Sequence, residues 1–181
     1  MKTKLHNYLE NELEKEFINK HLFFNKNISS QTWFGVGGLA EVLFIPQSSK
    51  DLIKVFKLIN SNIEINVIGF GSNLLIRDGG LNGITIKLGK NFNFMNENNK
   101  TITSGAVVPD KVFSRFCYEN SFIDCEFLYG IPGTIGGAIA MNAGCYGSEI
   151  SDVVHSFKCV DFNGNEITIK NSDKIFSYRK N

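Results

Sequence analysis

The sequence predicts an α+β protein made of two small lobes. Helical and extended patterns alternate through the first half of the chain, and a second series follows the polar turn at residues 96–99. Two glycine-rich segments, residues 69–73 and 130–144, fall one in each expected lobe. With 181 residues, of which 43% are hydrophobic and 20% charged, the chain is long enough to bury a core.

The amino-terminal segment, residues 1–30, is interpreted as a helix followed by a linker. Apolar side chains recur every four positions from Leu5 to Phe17, and charged residues occupy many of the positions between them. This spacing predicts an amphipathic helix over residues 4–20. We expect the helix to serve packing and to carry no chemistry.

The first lobe is expected over residues 31–92. Its predicted elements are a strand at 40–45 ended by Pro46, a helix capped by Ser48 and Ser49, a strand at 64–68, and short strands at 74–77 and 84–88. In this order the first glycine segment follows the carboxyl end of a strand, where α/β folds bind their ligands.

The second lobe is expected over residues 93–181. Its predicted elements are a strand from Thr101, a helix beginning at Pro109 with Val112, Phe113 and Phe116 on its apolar face, and strands at 153–162 and 166–169. The dipeptide Asn163-Gly164 between the last two strands predicts a type I′ hairpin turn. Residues 176–181 show neither a helix cap nor a closing strand, so we expect this lobe to be incomplete.

Composition excludes several classes of partner. The formal net charge is +1, and no basic stripe interleaved with aromatic residues is present, so nucleic acid is not an expected partner. No apolar run approaches the ~20 residues of a membrane span, and the first ten residues lack the apolar core of a secretion signal. We therefore expect a cytoplasmic protein without membrane association.

The four cysteines do not have metal-ligand spacing. Cys117, Cys125, Cys145 and Cys159 form no C-x-x-C pair, and the three histidines are scattered. We interpret the cysteines as reduced and mostly buried thiols, with a metal site as the less favoured alternative.

The two glycine segments predict a nucleotide ligand. Glycine permits positive φ and lets main-chain N–H groups converge on phosphate oxygens. Neither segment has the Lys-Ser/Thr pair of a P-loop, and an extended stretch follows the first where a Rossmann site has a helix. The pair therefore indicates another nucleotide-binding architecture, which holds a phosphate-bearing ligand at two points. An ordinary turn is the alternative for the first segment taken singly.

Five motifs resemble those of one enzyme family and occur in its order. They are Thr32 with Val36-Gly37-Gly38-Leu39-Ala40, Gly69-Phe70-Gly71-Ser72-Asn73-Leu74-Leu75, Glu126-Phe127-Leu128-Tyr129-Gly130-Ile131-Pro132-Gly133-Thr134-Ile135-Gly136-Gly137, Met141-Asn142-Ala143-Gly144-Cys145-Tyr146-Gly147, and Tyr178-Arg179. The chain thus resembles the UDP-N-acetylenolpyruvoylglucosamine reductase family over residues 30–181. The resemblance implies a two-lobed FAD-binding domain of the vanillyl-alcohol-oxidase (PCMH) type, truncated before its last strands.

The resemblance also implies which residues bind FAD. The first segment is expected to hold the pyrophosphate, and the second to run along the ribityl chain and the flavin ring. The implied cofactor-binding residues are Gly69, Phe70, Gly71, Ser72 and Asn73 in the first segment, and Gly130, Pro132, Gly133, Thr134, Gly136, Gly137, Ala138, Asn142 and Gly144 in the second. For some of these glycines, tight packing within the protein is the alternative.

For catalysis, the resemblance implies that NADPH reduces the flavin and that hydride passes to the enolpyruvyl double bond of a UDP-sugar substrate. Arg179 matches the family's arginine, whose guanidinium can fork onto the substrate carboxylate, and Tyr178 is expected to bind substrate. The family's proton-donating serine and its glutamate lie in a carboxyl-terminal substrate-binding domain that we do not expect in this chain.

Two alternatives to an active reductase stay open. One is a truncated FAD-binding remnant that catalyses nothing. The other is an FAD-linked oxidase of the same superfamily, which would be expected to carry a His or Cys for covalent flavin attachment at a loop. His6, His21 and His155 all lie outside both glycine segments. No protein partner is indicated.

Overall fold

The computed structural model describes residues 2–59, 62–171 and 176–177. The chain divides into two compact units. The first comprises Met1–Gly89 together with Val160–Asn165, and the second comprises Lys90–Cys159 and the chain from Glu166 onward. The first unit therefore includes the amino-terminal helices as well as the tip of a late hairpin.

The helices and strands of the first unit are α1 (Lys4–Glu12), α2 (Lys15–His21), β1 (Leu22–Asn27), β2 (Leu39–Phe44), α3 (Ser49–Phe56), β3 (Ile65–Val67) and β4 (Leu81–Ile86). The strands form one mixed sheet in the order β1-β2-β4-β3. β1 runs antiparallel to β2, whereas β2 and β3 both run parallel to β4. The carboxyl ends of three strands therefore meet at one edge of the sheet.

The expected amino-terminal helix is interrupted. Leu13 adopts extended backbone angles, φ −113° and ψ 144°, and separates α1 from α2. On a straight helix, side chains spaced four apart rotate by about 40° at each step, so a row of four leaves the core-facing side. The break allows Leu9, Leu13 and Phe17 to pack into one core cluster with Phe44 of the sheet.

The predicted helix after the first core strand is confirmed. Ser48 is the N-cap of α3 and accepts a hydrogen bond from the main-chain N–H of Asp51, whose carboxylate accepts one from the N–H of Ser48 in return. This capping box satisfies two donors that the helix leaves unpaired at its start. The helix carries the chain from β2 to β3, which lie on either side of β4.

The strand expected at residues 74–77 is not formed. This segment is irregular, and Ile76 packs into a buried cluster with Ile28, Ala40 and Leu43. The main-chain oxygen of Arg77 accepts a hydrogen bond from the N–H of Gly38. This apolar segment therefore buries Ile76 by packing and not by strand pairing.

The second unit contains β5 (Met95–Asn98), β6 (Thr101–Ser104), α4 (Asp110–Glu119), α5 (Ile135–Met141), β7 (Gly144–Cys145), β8 (Ser148–Glu149), α6 (Ile150–Val153), β9 (Ser156–Val160) and β10 (Glu166–Lys170), with Val160 assigned to the first unit. Its described strands pair as three two-stranded sheets. Its core contains Val108, Phe127, Leu128, Ile135, Ala138 and Ile150.

The predicted helix is confirmed, but its apolar face is only partly as expected. Pro109 is the N-cap, so α4 begins one residue later than predicted. Phe113 packs on the core of the second unit and Phe116 is half-buried, whereas Val112 is 47% exposed. The fully buried residues of α4 are Asp110, Ser114 and Cys117, which the hydrophobic spacing did not predict.

The hairpin of β9 and β10 is confirmed, but its turn is of another type. In the Asn163-Gly164 pair only Gly164 has positive φ, at 75°. Asp161 organises the turn because its carboxylate accepts hydrogen bonds from the N–H groups of Asn163 and Asn165. These bonds, chiefly those from Asn165, lower the pKa of Asp161.

Candidate functional site

The first glycine loop begins where β3 ends. Val67 is the last residue of β3, and the N–H of Ile68 still donates to the main-chain oxygen of Ile86 on β4. Residues 69–73 then leave the sheet at the edge where β2, β3 and β4 all end. Open α/β sheets bind ligands outside the carboxyl ends of their strands, so the fold places this loop at a binding edge.

Gly71 is required by the protein's own packing. Its φ is +66°, and a Cβ there would lie 2.2 Å from the main-chain oxygen of Gln31 and 2.8 Å from the Cα of Thr32. The main-chain oxygen of Gly71 also accepts a hydrogen bond from the N–H of Trp33. The loop is therefore held by the segment that begins at Gln31, and Gly71 needs no ligand to explain it.

The other residues of this loop are more accessible. Phe70 is 40% exposed, Asn73 is exposed, and both Gly69 and Ser72 are half-buried. Asn73 is therefore the most exposed polar residue of this loop.

Two features beside this loop were missed by the sequence interpretation. Trp33 and Phe34 are each 65% exposed, an aromatic pair next to Gly71. Lys87, directly after β4, donates to the side-chain oxygen of Gln31, and burial lowers the pKa of Lys87. The only sequence signal for Lys87 was its position after a buried strand.

The second glycine loop is fixed to the segment before α4. The N–H of Gly136 donates to Ala106 at 2.9 Å, and the N–H of Asp110 donates to Gly133 at 3.2 Å, in both cases to the main-chain oxygen. Thr134 is buried and caps α5 by accepting from the N–H of Gly137. This ladder of contacts makes the loop a rigid part of the second unit.

The glycines of this loop fall into two groups. A Cβ on Gly136 would lie 2.9 Å from the Cβ of Ala106, and one on Gly144 would lie 2.9 Å from the main-chain oxygen of Ser148, so packing requires these two. A Cβ on Gly130 would meet nothing within 4 Å, and one on Gly137 would meet only the Thr134 hydroxyl, at 3.4 Å. The open space beside Gly130 and Gly137 fits a ligand that lies against the loop. Pro132 is exposed, and Ala138 is buried in the core of this unit.

The side chain of Asn142 forms hydrogen bonds within the second unit. It ends α5 in the left-handed conformation, φ 41° and ψ 55°, and is 4% exposed. Its amide oxygen accepts from the N–H of Ser151, and its amide nitrogen donates to the main-chain oxygen of Ser177. Both ends of the amide are used within the second unit, which leaves little of it for a ligand.

Tyr178 and Arg179 lie outside the described residues. The chain immediately before them is described: Phe176 packs on the core of the second unit and lies 6.2 Å from Phe157, ring centroid to ring centroid. Ser177 is held by Asn142. The roles predicted for Tyr178 and Arg179 stay predictions.

Asp110 is a third feature that the sequence interpretation missed. Its side chain is 1% exposed, and neither carboxyl oxygen has a hydrogen-bond partner among the described residues. Burial raises the pKa of Asp110 to about 7. A buried acid beside Gly133 therefore changes charge near neutral pH.

None of the four cysteines is in a disulfide bond. Cys117 and Cys125 are buried, whereas Cys145 and Cys159 are half-buried. The Cys117 thiol donates to Cys125, and this hydrogen bond together with burial raises the pKa of Cys117. Among the described residues, no three His, Cys, Asp or Glu side chains are grouped as a metal site would require.

No helix in the described part of the chain is long and apolar enough to cross a membrane.

Parallel strands that present a glycine loop at their carboxyl edge, together with a second unit whose glycine loop opens a helix, define an α+β domain of the FAD-binding class. Comparison with known proteins agrees. The chain belongs to the FAD binding domain family, whose model matches residues 40–170.

The curated relatives that match this chain are named after one particular enzyme. The UDP-N-acetylenolpyruvoylglucosamine reductase of Orientia tsutsugamushi (strain Ikeda) is 46% identical over 160 residues, which cover 86% of this chain and 53% of that protein. The chain spans about half the length of the curated relatives it matches.

Solved structures show the same fold. The UDP-N-acetylenolpyruvylglucosamine reductase from Thermus caldophilus matches with a TM-score of 0.72 and 27% identity, over 88% of this chain and 55% of that one. The 4-ethylphenol oxidase from Gulosibacter chungangensis matches with a TM-score of 0.61 and 18% identity, over 90% of this chain and 35% of that one, which shows the fold alone. These matches confirm the family resemblance and the predicted two-lobed FAD-binding fold.

Proposed function

We propose that this chain is the FAD-binding part of a UDP-N-acetylenolpyruvoylglucosamine reductase. The whole protein would use NADPH to reduce UDP-N-acetylenolpyruvoylglucosamine to UDP-N-acetylmuramate, a cytoplasmic step in peptidoglycan precursor synthesis. The observation that carries the proposal is the 46% identity over 160 residues with a reductase of that name. An alignment of that length in a chain of 181 residues includes both glycine loops.

In this proposal the first loop binds the FAD diphosphate. Its location at the carboxyl edge of three parallel strands supports this, because open α/β sheets bind their ligands at that edge. Gly71 shapes the loop, while the exposed Asn73 and the half-buried Ser72 supply side-chain hydrogen bonds.

The second loop lies against the ribityl chain and the ring. Open space beside Gly130 and Gly137 supports this, since no side chain of the protein requires glycine at either position. When bound, FAD supplies the hydride-transfer chemistry, and the protein supplies binding and orientation. Thr134, Gly136 and Asn142 hold the loop in shape.

Arg179 and Tyr178 bind the substrate in this proposal. A guanidinium forks onto a carboxylate through two parallel hydrogen bonds, and the enolpyruvyl group carries a carboxylate beside the reacting double bond. Arg179 would orient that carboxylate and stabilise the negative charge that develops as the double bond is reduced.

Cofactor binding by the purified chain is the first test. We expect non-covalent FAD, with its visible absorption band, to be released on denaturation and to rebind to the apoprotein. Gly137→Ala tests the second loop without disturbing the fold, because a Cβ there meets only Thr134, and alanine raises helix stability by about 1 kcal/mol over glycine. We expect this variant to melt at a higher temperature as apoprotein and to bind FAD more weakly.

Two matched variants complete this test. Gly79→Ala places a methyl group in open space outside both loops and should leave FAD binding unchanged. Gly71→Ala should unfold at a lower temperature with or without FAD, because its methyl group meets the backbone of Gln31. A colourless protein that fails to bind added FAD would refute the proposed function, and unchanged affinity in Gly137→Ala would remove the second loop from the site.

A second candidate is FAD binding without turnover. It is favoured by the coverage of the curated relatives, of whose length this chain spans about half. We expect the 181-residue chain alone to lack reductase activity with FAD, NADPH and substrate supplied, since loss of a general acid costs ~10²–10⁴ in rate. Turnover at ~1–10³ per second would exclude this candidate.

A further inference from the structure

We propose that Lys87 binds the diphosphate of the cofactor at the first glycine loop. The inference rests on the proposed function, because it assigns one more residue to the FAD site. Neither the glycine motif nor the charge pattern of the sequence singled out Lys87.

Strand register places Lys87 beside the loop. Ile86, the last residue of β4, pairs with Val67 of β3 on one side and with Phe44 of β2 on the other. Lys87 therefore leaves the sheet one residue beyond this pairing, as Gly69 leaves it two residues beyond Val67 on the neighbouring parallel strand. This is the edge where a ligand of the sheet is expected.

A single residue contacts both Lys87 and the loop. The ammonium group of Lys87 donates to the side-chain oxygen of Gln31, and the main-chain oxygen of Gln31 lies 2.2 Å from the position of a Cβ on Gly71. These three residues belong to the first unit. The ammonium group is thus connected to the glycine loop through one residue, Gln31.

Lys87 forms no ion pair with the described residues. Within that part of the chain, the ion pairs are those of Lys2, Lys54, Arg115 and Lys158. The Lys87 side chain is half-buried, so water compensates its charge only in part. An ammonium group has three donors, and among the described residues Lys87 donates one hydrogen bond, to Gln31.

A buried polar group without a partner lies close by in the chain. Thr85 is the penultimate residue of β4, and Lys87 follows the strand two residues later. The Thr85 hydroxyl is fully buried and has no hydrogen-bond partner among the described residues. A half-buried cation without an anion, at a glycine loop on a ligand-binding edge, fits the oxygens of a diphosphate.

Affinity measurements with ligand fragments test the assignment. The 181-residue chain, Lys87→Met, Lys87→Arg and Lys26→Met would be titrated with FAD, ADP and riboflavin. We expect Lys87→Met to weaken FAD and ADP binding about ten- to a hundredfold and to leave riboflavin binding unchanged, because riboflavin carries no phosphate. Lys87→Arg should retain more affinity than Lys87→Met, since it keeps the charge.

Lys26→Met is the matched control. Lys26 is exposed on β1 opposite Ala40, at the other end of β2, and its replacement should change none of the affinities. Equal FAD affinity in Lys87→Met and the unsubstituted chain would overturn the inference and leave the proposed function intact. Equal weakening of riboflavin would also overturn it, by showing a structural role. An unsubstituted chain that binds ADP but not FAD would overturn the proposed function alone, and one that binds neither would overturn both.

Discussion

Asp110 shows how one buried residue makes the stability of the second unit depend on pH. Its carboxyl oxygens have no hydrogen-bond partner among the described residues, and burial raises its pKa from 3.8 to about 7. The fold therefore accommodates the neutral acid, whereas the unfolded chain ionises at its ordinary value. Its main-chain N–H also donates a hydrogen bond to the main-chain oxygen of Gly133, so Asp110 is in direct contact with the second glycine loop.

We expect stability to fall as pH rises from about 4 to about 7 and to level off above that range, because the folded state binds more protons than the unfolded state throughout it. The loss amounts to about 4 kcal/mol for this single group. Asp110→Asn keeps the shape and cannot ionise, so its urea midpoint at pH 8 should exceed that of the unsubstituted chain. Circular dichroism at pH 4.5 and pH 8 measures this, and parallel pH profiles for the two proteins would contradict it.

At the scale of elements, the end of α5 connects the second glycine loop to the chain before Tyr178. Asn142 ends the helix with positive φ and bonds to Ser151 and Ser177 through its amide. One residue thus sets both where the helix stops and where the main chain at position 177 lies. The motif that gave the family resemblance at this position, Met-Asn-Ala-Gly, has a structural explanation in that asparagine.

We expect Asn142→Ala to lower the unfolding free energy by about 2 kcal/mol, because two hydrogen bonds of about 1 kcal/mol each are lost. Thermal unfolding followed by circular dichroism measures the effect. Asn142→Gly is the matched variant, since glycine accepts the left-handed backbone without strain but has no amide. If Asn142→Gly were as stable as the unsubstituted chain, the two hydrogen bonds would contribute nothing and only the backbone conformation would matter.

The whole molecule consists of two units, each with its own core and its own glycine loop. The chain passes between the units three times, after Gly89, Cys159 and Asn165. The chemistry proposed for Arg179 would be tested in a full-length reductase built on this sequence.

In such a complete enzyme we expect Arg179→Lys to retain FAD and to reduce substrate more slowly by ~10²-fold or more, because an ammonium group cannot reproduce the forked contact with a carboxylate. Flavin absorbance measures cofactor content, and oxidation of NADPH in the presence of substrate measures turnover. Arg115→Lys is a suitable control, since Arg115 is exposed and pairs with Glu119 on the surface of α4. Full activity in Arg179→Lys would show that Arg179 does not bind the reacting group.

Local sequence signals correctly predicted those helices and strands that depend on interactions between residues close together in the chain. The cap at Ser48 predicted α3, and the apolar run before residue 69 predicted the strand that leads into the first loop, because capping and strand formation depend on neighbours in the chain. The length and order of the glycine motifs identified the family. Residues 74–77 show the limit of such signals: their pattern is that of a strand, but the segment is irregular and Ile76 packs into a buried cluster instead.

The sequence by itself determined the fold class, the family and the two candidate loops, since these follow from residue types at fixed spacing along the chain. Only the tertiary structure decided which glycines serve packing and which border open space, as Gly71 and Gly137 show. It also decided that Asp110 is buried without a partner and that Lys87 lies beside the first loop. The physical reason is that burial, sheet register and close backbone approach depend on segments far apart in the sequence, whose positions relative to one another are set only when the chain packs.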